Sequence, residues 1–399
     1  MKNLTILGFV SLIAVGWLTS CAPKGAEVEA LPCAFDSTQF NMIDSKGQVI
    51  DLGVSTHSIS PLVNGFFHAS TPDGVTVYKL TADGPQPVEG LTGLVSAGYM
   101  ACGVMPVCKQ GNHIELVNDD GESVATITLD EGEVTECDAF MREGLLRVTT
   151  DSGMQGAVNT KGEFVVRPIF SLLGPVDGGK MLAMIEAEAP DGIVSQKYQL
   201  IDSKMNVLYE FSEYTPVLMD VRNGYVIVRK AGSQTFALCN AGGDKSIVDL
   251  PAEVRSVEAM GSDGIVIRDA NGRKGIVDYS GHMLLPAKYK QVRLGPNGRV
   301  AVTDGSQWFL MDANGENAVA IGGASMVSPA PEASFAQGFA FVCRAAAGMY
   351  LVNTAGELVN AKPLAMIDNG GLDLLKVVTD YPQATTTIEL PGDEDWIEN

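Results

Sequence analysis

The residue types that could do chemistry in this chain are four histidines, seven cysteines and a handful of acidic loops. His57, His68, His113 and His282 lie far apart. No two share the close spacing that sets imidazoles around zinc from one element, and no cysteine cluster accompanies them. They are expected to be structural, with His282, directly after a glycine, facing solvent. Asn118-Asp119-Asp120-Gly121-Glu122 and Asp312-Ala313-Asn314-Gly315-Glu316 have the turn of a calcium loop. They lack its ordered series of oxygens ending in a bidentate acid. Asp119-Asp120 and Asp393-Glu394-Asp395 fall in a loop and a tail, with nothing to make them face one another as an acid–base pair. Gly295-Pro296-Asn297-Gly298 is a turn with no helix after it, so it does not read as a phosphate loop, and no Gly-x-Ser-x-Gly elbow exists. The sequence assigns no catalytic, cofactor-binding or metal-binding residue, and the expectation is a non-enzymatic chain without cofactors.

Cys21 is the exception, because its surroundings specify a chemistry. Lys2 supplies a positive start, and Leu4 to Leu18 is an apolar stretch of about fifteen residues, the length of a signal segment and short of a membrane span. It ends in Leu18-Thr19-Ser20-Cys21. That ending resembles the lipobox of bacterial lipoproteins. The resemblance implies cleavage before Cys21 and lipidation of its thiol, so that the mature chain is held in a membrane by its N-terminus. Ala22, rather than Asp, follows the cysteine. By the same resemblance this implies the outer membrane, on its periplasmic face or at the cell surface. Residues 1–20 then read as a signal peptide, 21–32 as a lipidated tether, 33–392 as a single domain and 393–399 as an acidic tail. The remaining cysteines are Cys33, Cys102, Cys108, Cys137, Cys239 and Cys343. Cys102 and Cys108 are the near pair. They can bridge if Gly103-Val104-Met105-Pro106-Val107 bends, and are too distant if it is extended. Cys239 and Cys343 lie in apolar runs and read as small buried hydrophobes.

The net charge of −21, from 27 basic and 48 acidic side chains, repels a phosphate backbone and argues against a nucleic-acid partner. It suits solubility beside an anionic envelope.

The elements that must position any site are set by a repeat. Residues 273 to 292, RKGIVDYSGHMLLPAKYKQV, are its clearest copy. Ile276-Val277 and Met283-Leu284-Leu285 read as two strands around the turn Asp278-Tyr279-Ser280-Gly281, where the carboxylate opens the turn and glycine supplies left-handed angles. The turn-opening residue recurs as Asp44, Thr81, Asn118, Asn159, Asp202, Asn240, Asp278, Asp312 and Asn353. Glycine stands three residues later in every copy but one, where Met205 replaces it. An apolar residue precedes each turn. The interval is about forty residues, which marks propellers and related β-repeat arrays. Between turns lies a glycine followed by an apolar run: Gly65, Gly98, Gly144, Gly179, Gly224, Gly264, Gly298 and Gly338. Each unit therefore holds at least three strands, with room for a fourth. Consecutive apolar residues, as in Leu238-Cys239 and Leu351-Val352, indicate strands covered on both faces.

The best copy, with Lys274-Gly275-Ile276-Val277-Asp278, Gly281, Pro286, Lys288 and Tyr289, resembles the WG repeat of bacterial proteins. Met154-Gln155-Gly156-Ala157-Val158-Asn159, Gly162, Arg167-Pro168-Ile169-Phe170 is the second-best match. The other units keep only the turn, and the family's tryptophan is missing from all but Trp308. The resemblance implies an extracytoplasmic β-repeat protein.

The expected fold is all-β: a β-propeller of eight or nine four-stranded blades closed by the two termini, with residues 371–390 and 33–52 sharing the closing blade. An open β-solenoid is the alternative. The expected role is a binding or scaffolding module of the cell envelope, contacting a protein or glycan partner through loops on one rim. The alternative is a glycan-active enzyme with carboxylates converging in a central funnel.

Overall fold

The computed structural model describes residues 25–369, apart from 37, 38, 55, 57, 111, 112, 189–193 and 243–245, together with residues 376–378. The described residues form antiparallel sheets that follow one another in chain order, with two short 3₁₀ turns and no α-helix. The unit containing residues 273–292 shows the plan. Ser256–Met260, Ile265–Arg268, Lys274–Val277 and Met283–Tyr289 pair in sequence order as one four-stranded sheet. In the first eight units the repeat turn lies between a third strand and an outer fourth strand, and the ninth has three strands among the described residues. In most units the interleaved glycine joins an inner first strand to a second.

Both faces of each sheet are buried, by alternation. In this same unit Ile265, Ile267 and Val277 pack against Ile227, Phe236 and Leu238 of the preceding unit. Val266, Ile276 and Leu285 point the other way, onto Val300, Val302 and Met311 of the following one. Period-two alternation thus gives each strand two apolar faces, and the sequence shows a continuous apolar run. The packing repeats around the molecule: among the described residues there are nine units, and an apolar cluster lies between each neighbouring pair. The ninth interface decides between propeller and solenoid. Val342, Met349 and Leu351 of the last unit pack with Leu31, Cys33 and Ile43 of the first. The array is a closed β-propeller.

Closure is made differently from the sequence expectation. Met366–Ile367 is the inner strand of the first blade, pairing with Cys33 and Ala34 of Val28–Ala34. Phe40–Asp44 and Val49–Ile50 complete that blade. The two chain ends do share it, but the C-terminal contribution lies ahead of residues 371–390. Of that stretch, Lys376–Val378 pairs instead with Glu136–Asp138, as a fifth strand on the inner edge of the fourth blade, where Val377 is buried. Residues 371–375 and 379–390 lie outside the described residues. The body also begins earlier than residue 33, because Val28–Pro32, read as tether, are strand residues. The same strand accepts Leu62–Val63 alongside Met366–Ile367, which fuses the first two blades into one nine-stranded sheet.

The turns carry the local chemistry that the repeat implies. Asp278 Oδ1 accepts the backbone N–H groups of Ser280 and His282, both at 2.8 Å. Asp44, Asn118, Asn159, Asp202 and Asn353 accept the equivalent pair in their own turns. The residue three positions on takes a positive φ, 81° at Gly281 and 64° at Met205. Met205 therefore keeps the glycine geometry without being glycine. Its sulfur accepts the N–H of Arg167 at 3.3 Å, which anchors the strained residue to the preceding blade.

Candidate functional site

The inner hairpins converge on the axis. Most turn through two left-handed residues: Asn64-Gly65, Cys102-Gly103, Glu143-Gly144, Gly178-Gly179, Asn223-Gly224 and Asn297-Gly298. In all but the last this is the two-residue hairpin turn whose twist matches the strands it joins, whereas Pro296-Asn297-Gly298 is a three-residue turn closed by Gly295 and Arg299. In the third unit the turn glycine is Gly103, and not Gly98 as the spacing suggests. Gly98 lies on the inner edge, where a Cβ would come 2.1 Å from the carbonyl oxygen of Ala139 in the next blade.

These hairpins latch to one another around the rim. Asn64 Nδ2 donates to Met100 O at 2.7 Å. The Glu143 carboxylate accepts the N–H groups of Gly178 and Gly179, each at 2.8 Å. Asn223 Nδ2 donates to the carbonyls of Gly261 and Ser262, and Asp263 accepts the N–H of Gly298 at 2.9 Å.

The hub is only partly filled. Tyr99, Ala101, Ala139, Phe140, Ala330 and Phe339 join the interface of the first and last units in one apolar cluster. Between the fourth and ninth blades the axis opens into a cavity of about 950 Å³. Five arginines line it: Arg142, Arg147, Arg222, Arg293 and Arg299. They are five of the chain's eleven arginines, whereas among the described residues no lysine lines the cavity. The cavity wall is thus far richer in arginine than the rest of this acidic molecule. Asp138, Asp220, Glu258, Asp263 and Glu332 line it as well.

Most of these charges are committed. Arg147 grips Asp138 through two bonds of 2.7 and 2.8 Å and donates to Leu173 O on the next blade at 2.7 Å. Arg299 pairs with Asp312 at 2.7 Å and reaches Thr354 O at 3.0 Å. The Arg299 guanidinium and the Asn317 amide hold the Asp312 carboxyl below the usual carboxylate range. Glu258 meets Lys274 and Arg268. Arg222 pairs with Glu332. That last pair spans from the sixth blade to the 3₁₀ turn Glu332–Gln337 of the ninth, so it straps one side of the cavity to another. Arg142 lies over the ring of Phe140, 4.8 Å from its centroid.

The residues singled out from sequence do not assemble here. His68, His113 and His282 lie on the second, third and seventh blades. His282 is 80% exposed, as expected, and sits 3.6 Å from Asp278. His68 packs against Tyr99, ring centroids 5.4 Å apart. The residue as a whole is half-buried, but Nε2 itself is sealed from solvent and without a hydrogen-bond partner, and burial lowers its pKa to about 4. Asp119 and Asp120 are exposed on a turn. Among the described residues no three His, Cys, Asp or Glu side chains come together as a metal site. Cys102 and Cys108 are buried and do not bridge to one another, and Cys33, Cys137, Cys239 and Cys343 are buried as well. Cys21 and His57 lie outside the described residues.

The cavity arginines were not singled out by sequence reading, although a signal existed. Arg142 and Arg222 each stand directly before the left-handed pair of an inner hairpin, a place held by Ala101 and Asp177 in other units. Aligning the copies on that glycine exposes the variation.

Comparisons with known proteins bear on the fold. The sequence matches no protein-family model and no curated protein. Among solved structures, one titled as a eukaryotic initiation factor aligns over 85% of this chain and 96% of its own, at 11% identity and a TM-score of 0.54. The fold is that of the β-propellers. BamB from Moraxella catarrhalis covers 77% of this chain and 93% of its own, at 12% identity and a TM-score of 0.36. AztD from Citrobacter koseri covers 74% and 94%, at 13% identity and 0.36. At such identities the likeness concerns architecture alone.

Proposed function

We propose that this propeller is a binding or scaffolding module of the cell envelope, tethered to the outer membrane by a lipid on Cys21, and that the central cavity and its rim of hairpins form the contact surface. One observation carries the binding role: arginine collects in an axial cavity of an otherwise strongly acidic protein. Arginine presents a planar fork of donors suited to carboxylate and phosphate groups and costs less to desolvate than lysine. Its enrichment there, with lysine left elsewhere, is the pattern of a recognition surface. The anchor rests on Leu18-Thr19-Ser20-Cys21, and the WG-like copies around Gly156 and Gly275 suit an extracytoplasmic repeat protein. The partner is a protein or a glycan, and the acidic surface argues against nucleic acid.

Crosslinking in cells followed by co-purification tests the binding role, with the expectation that a partner crosslinks to rim or cavity residues. Crosslinks confined to the blade exteriors would place the contact surface elsewhere. Substituting Cys21→Ala tests the anchor: the protein is expected to leave the membrane fraction. Retention there after a carbonate wash would contradict it.

A glycan-active enzyme is the second reading, favoured by the five carboxylates that line the same cavity. Hydrolysis of any member of an envelope-glycan panel, lost on Glu258→Gln, would put it first.

A further inference from the structure

We propose that the axial cavity is a binding site for a small organic anion bearing a carboxylate or phosphate group, with Arg293 as its anchor. The proposal rests on the reading of the cavity as a recognition surface and names the chemistry that it recognises.

Charge accounting along the wall leads to Arg293. Asp138, Glu258 and Glu332 are each matched by arginine or lysine, Asp263 accepts from Ser262 Oγ and Gly298 N, and Asp220 is engaged as well. Arg147, Arg222 and Arg299 are the cations of such pairs. Arg293, on the inner strand Gln291–Leu294 of the eighth blade, lines the cavity and is half-buried, and among the described residues it has no carboxylate or hydrogen-bond partner. A guanidinium removed in part from water, in a wall where other charges are paired, lacks the acceptor that would compensate it. An incoming anion supplies that acceptor, and two parallel N–H···O bonds would orient it.

The size and remaining wall restrict the ligand further. About 950 Å³ suits a body of one or two sugar rings or a short peptide end, at the upper end of ordinary small-molecule sites. Met219, Met260, Leu294 and Phe335 offer apolar surface to such a body. The neighbouring ion pairs are already satisfied, so they present a fixed field and need not reorganise when a ligand enters.

Calorimetric titration with D-glucuronate, glucose 6-phosphate and uncharged methyl glucoside tests this at low ionic strength. At least one anionic sugar is expected to bind the wild-type protein, at least about tenfold more tightly than methyl glucoside. The carboxylate and phosphate arms separate the two sources of negative charge. Arg293→Gln is expected to weaken that binding at least about tenfold, Arg293→Lys to restore part of it, and Arg255→Gln, outside the cavity, to leave it unchanged. Should the Gln variant misfold, phenylglyoxal labelling of the wild-type protein reads the same contact by mass spectrometry, with Arg293 protected by the anionic sugar and not by methyl glucoside. Equal affinity for methyl glucoside, unchanged affinity in a folded Arg293→Gln protein, or absence of both binding and protection overturns the proposal. If partners still crosslink to the cavity rim while no anion binds, the anion site falls and the binding module stands. Loss of both would remove both.

Discussion

His68 shows how a residue that resembles a functional one acts through stability. Its neutral ring sits against Tyr99 with Nε2 enclosed, and its native pKa is about 4 against an ordinary 6.5. Protonation is favoured in the unfolded chain over the folded one. The contribution is therefore fully present above about pH 6.5 and is lost as pH falls toward 4, to a limit of about 3 kcal/mol. Thermal melting followed from pH 7 to pH 4.5 should show a steeper fall for the wild-type protein than for His68→Phe, which has no proton to take up there. Parallel curves would assign the acid sensitivity to other groups. The turn residues tell the opposite story from His68: Asp278 and Gly281 look like site residues in isolation, but their contacts are those of Asp44 and Gly47 or Asn159 and Gly162, and their chemistry is that of the turn.

At the scale of the element, the hairpins of the rim act as clasps between blades. Glu143 is the strongest example, because its two carboxylate oxygens take two backbone N–H groups of the next blade. Glu143→Ala is expected to destabilise the protein by about 1–3 kcal/mol in chemical denaturation, and Glu143→Gln, which keeps one acceptor, by less. A neutral result for both would mean that water replaces the clasp at no cost. Which elements were legible in the sequence follows from the same geometry. The outer turns were readable because an Asx side chain and a left-handed glycine recur at fixed offsets in most copies, and the strands because their faces are both apolar. The inner hairpins were half readable: glycine marks them, but Cys102 conceals the turn at Gly103, and Gly98 mimics one while serving a close approach to Ala139. The cavity was illegible because Arg142, Arg222 and Arg293 come from blades far apart in sequence. Their convergence on one cavity depends on the ring, which no local pattern encodes. The closing strand was missed for a related reason: Met366–Ile367 is two residues long and gains its meaning from an edge at Cys33 and Ala34.

At the scale of the whole molecule, nine interfaces hold the ring and the C-terminal strands contribute unequally to it. A chain ending at residue 364 lacks the inner strand of the first blade, and leaves the edge of Val28–Ala34 open beside Ala34. It is expected to lose cooperative melting or to aggregate through that edge. A chain ending at residue 370 keeps Met366–Ile367 and gives up the pairing of Lys376–Val378 with Glu136–Asp138. It should fold as a ring, with a loss of about 1–3 kcal/mol from removing Val377 from its apolar cluster with Val134 and Cys137. Calorimetric scans of the two truncations check this. Loss of cooperative melting in both would make the fifth strand of the fourth blade the element that matters, and cooperative melting in both would show that Met366–Ile367 is not needed for closure.

The seam between Cys33 and Ile367 also sets a timetable. These partners lie more than three hundred residues apart, and a contact so distant in sequence forms only after a large loop has been closed, which slows folding. Synthesis delivers the N-terminal residues first and the closing strand late. Until then the first blade waits with an open edge, though the blades that follow can already pair within themselves. An interruption at any point before residue 366 leaves a chain of mostly formed sheets that still cannot become a ring. The completed protein is thus a record that the chain was delivered through residue 367.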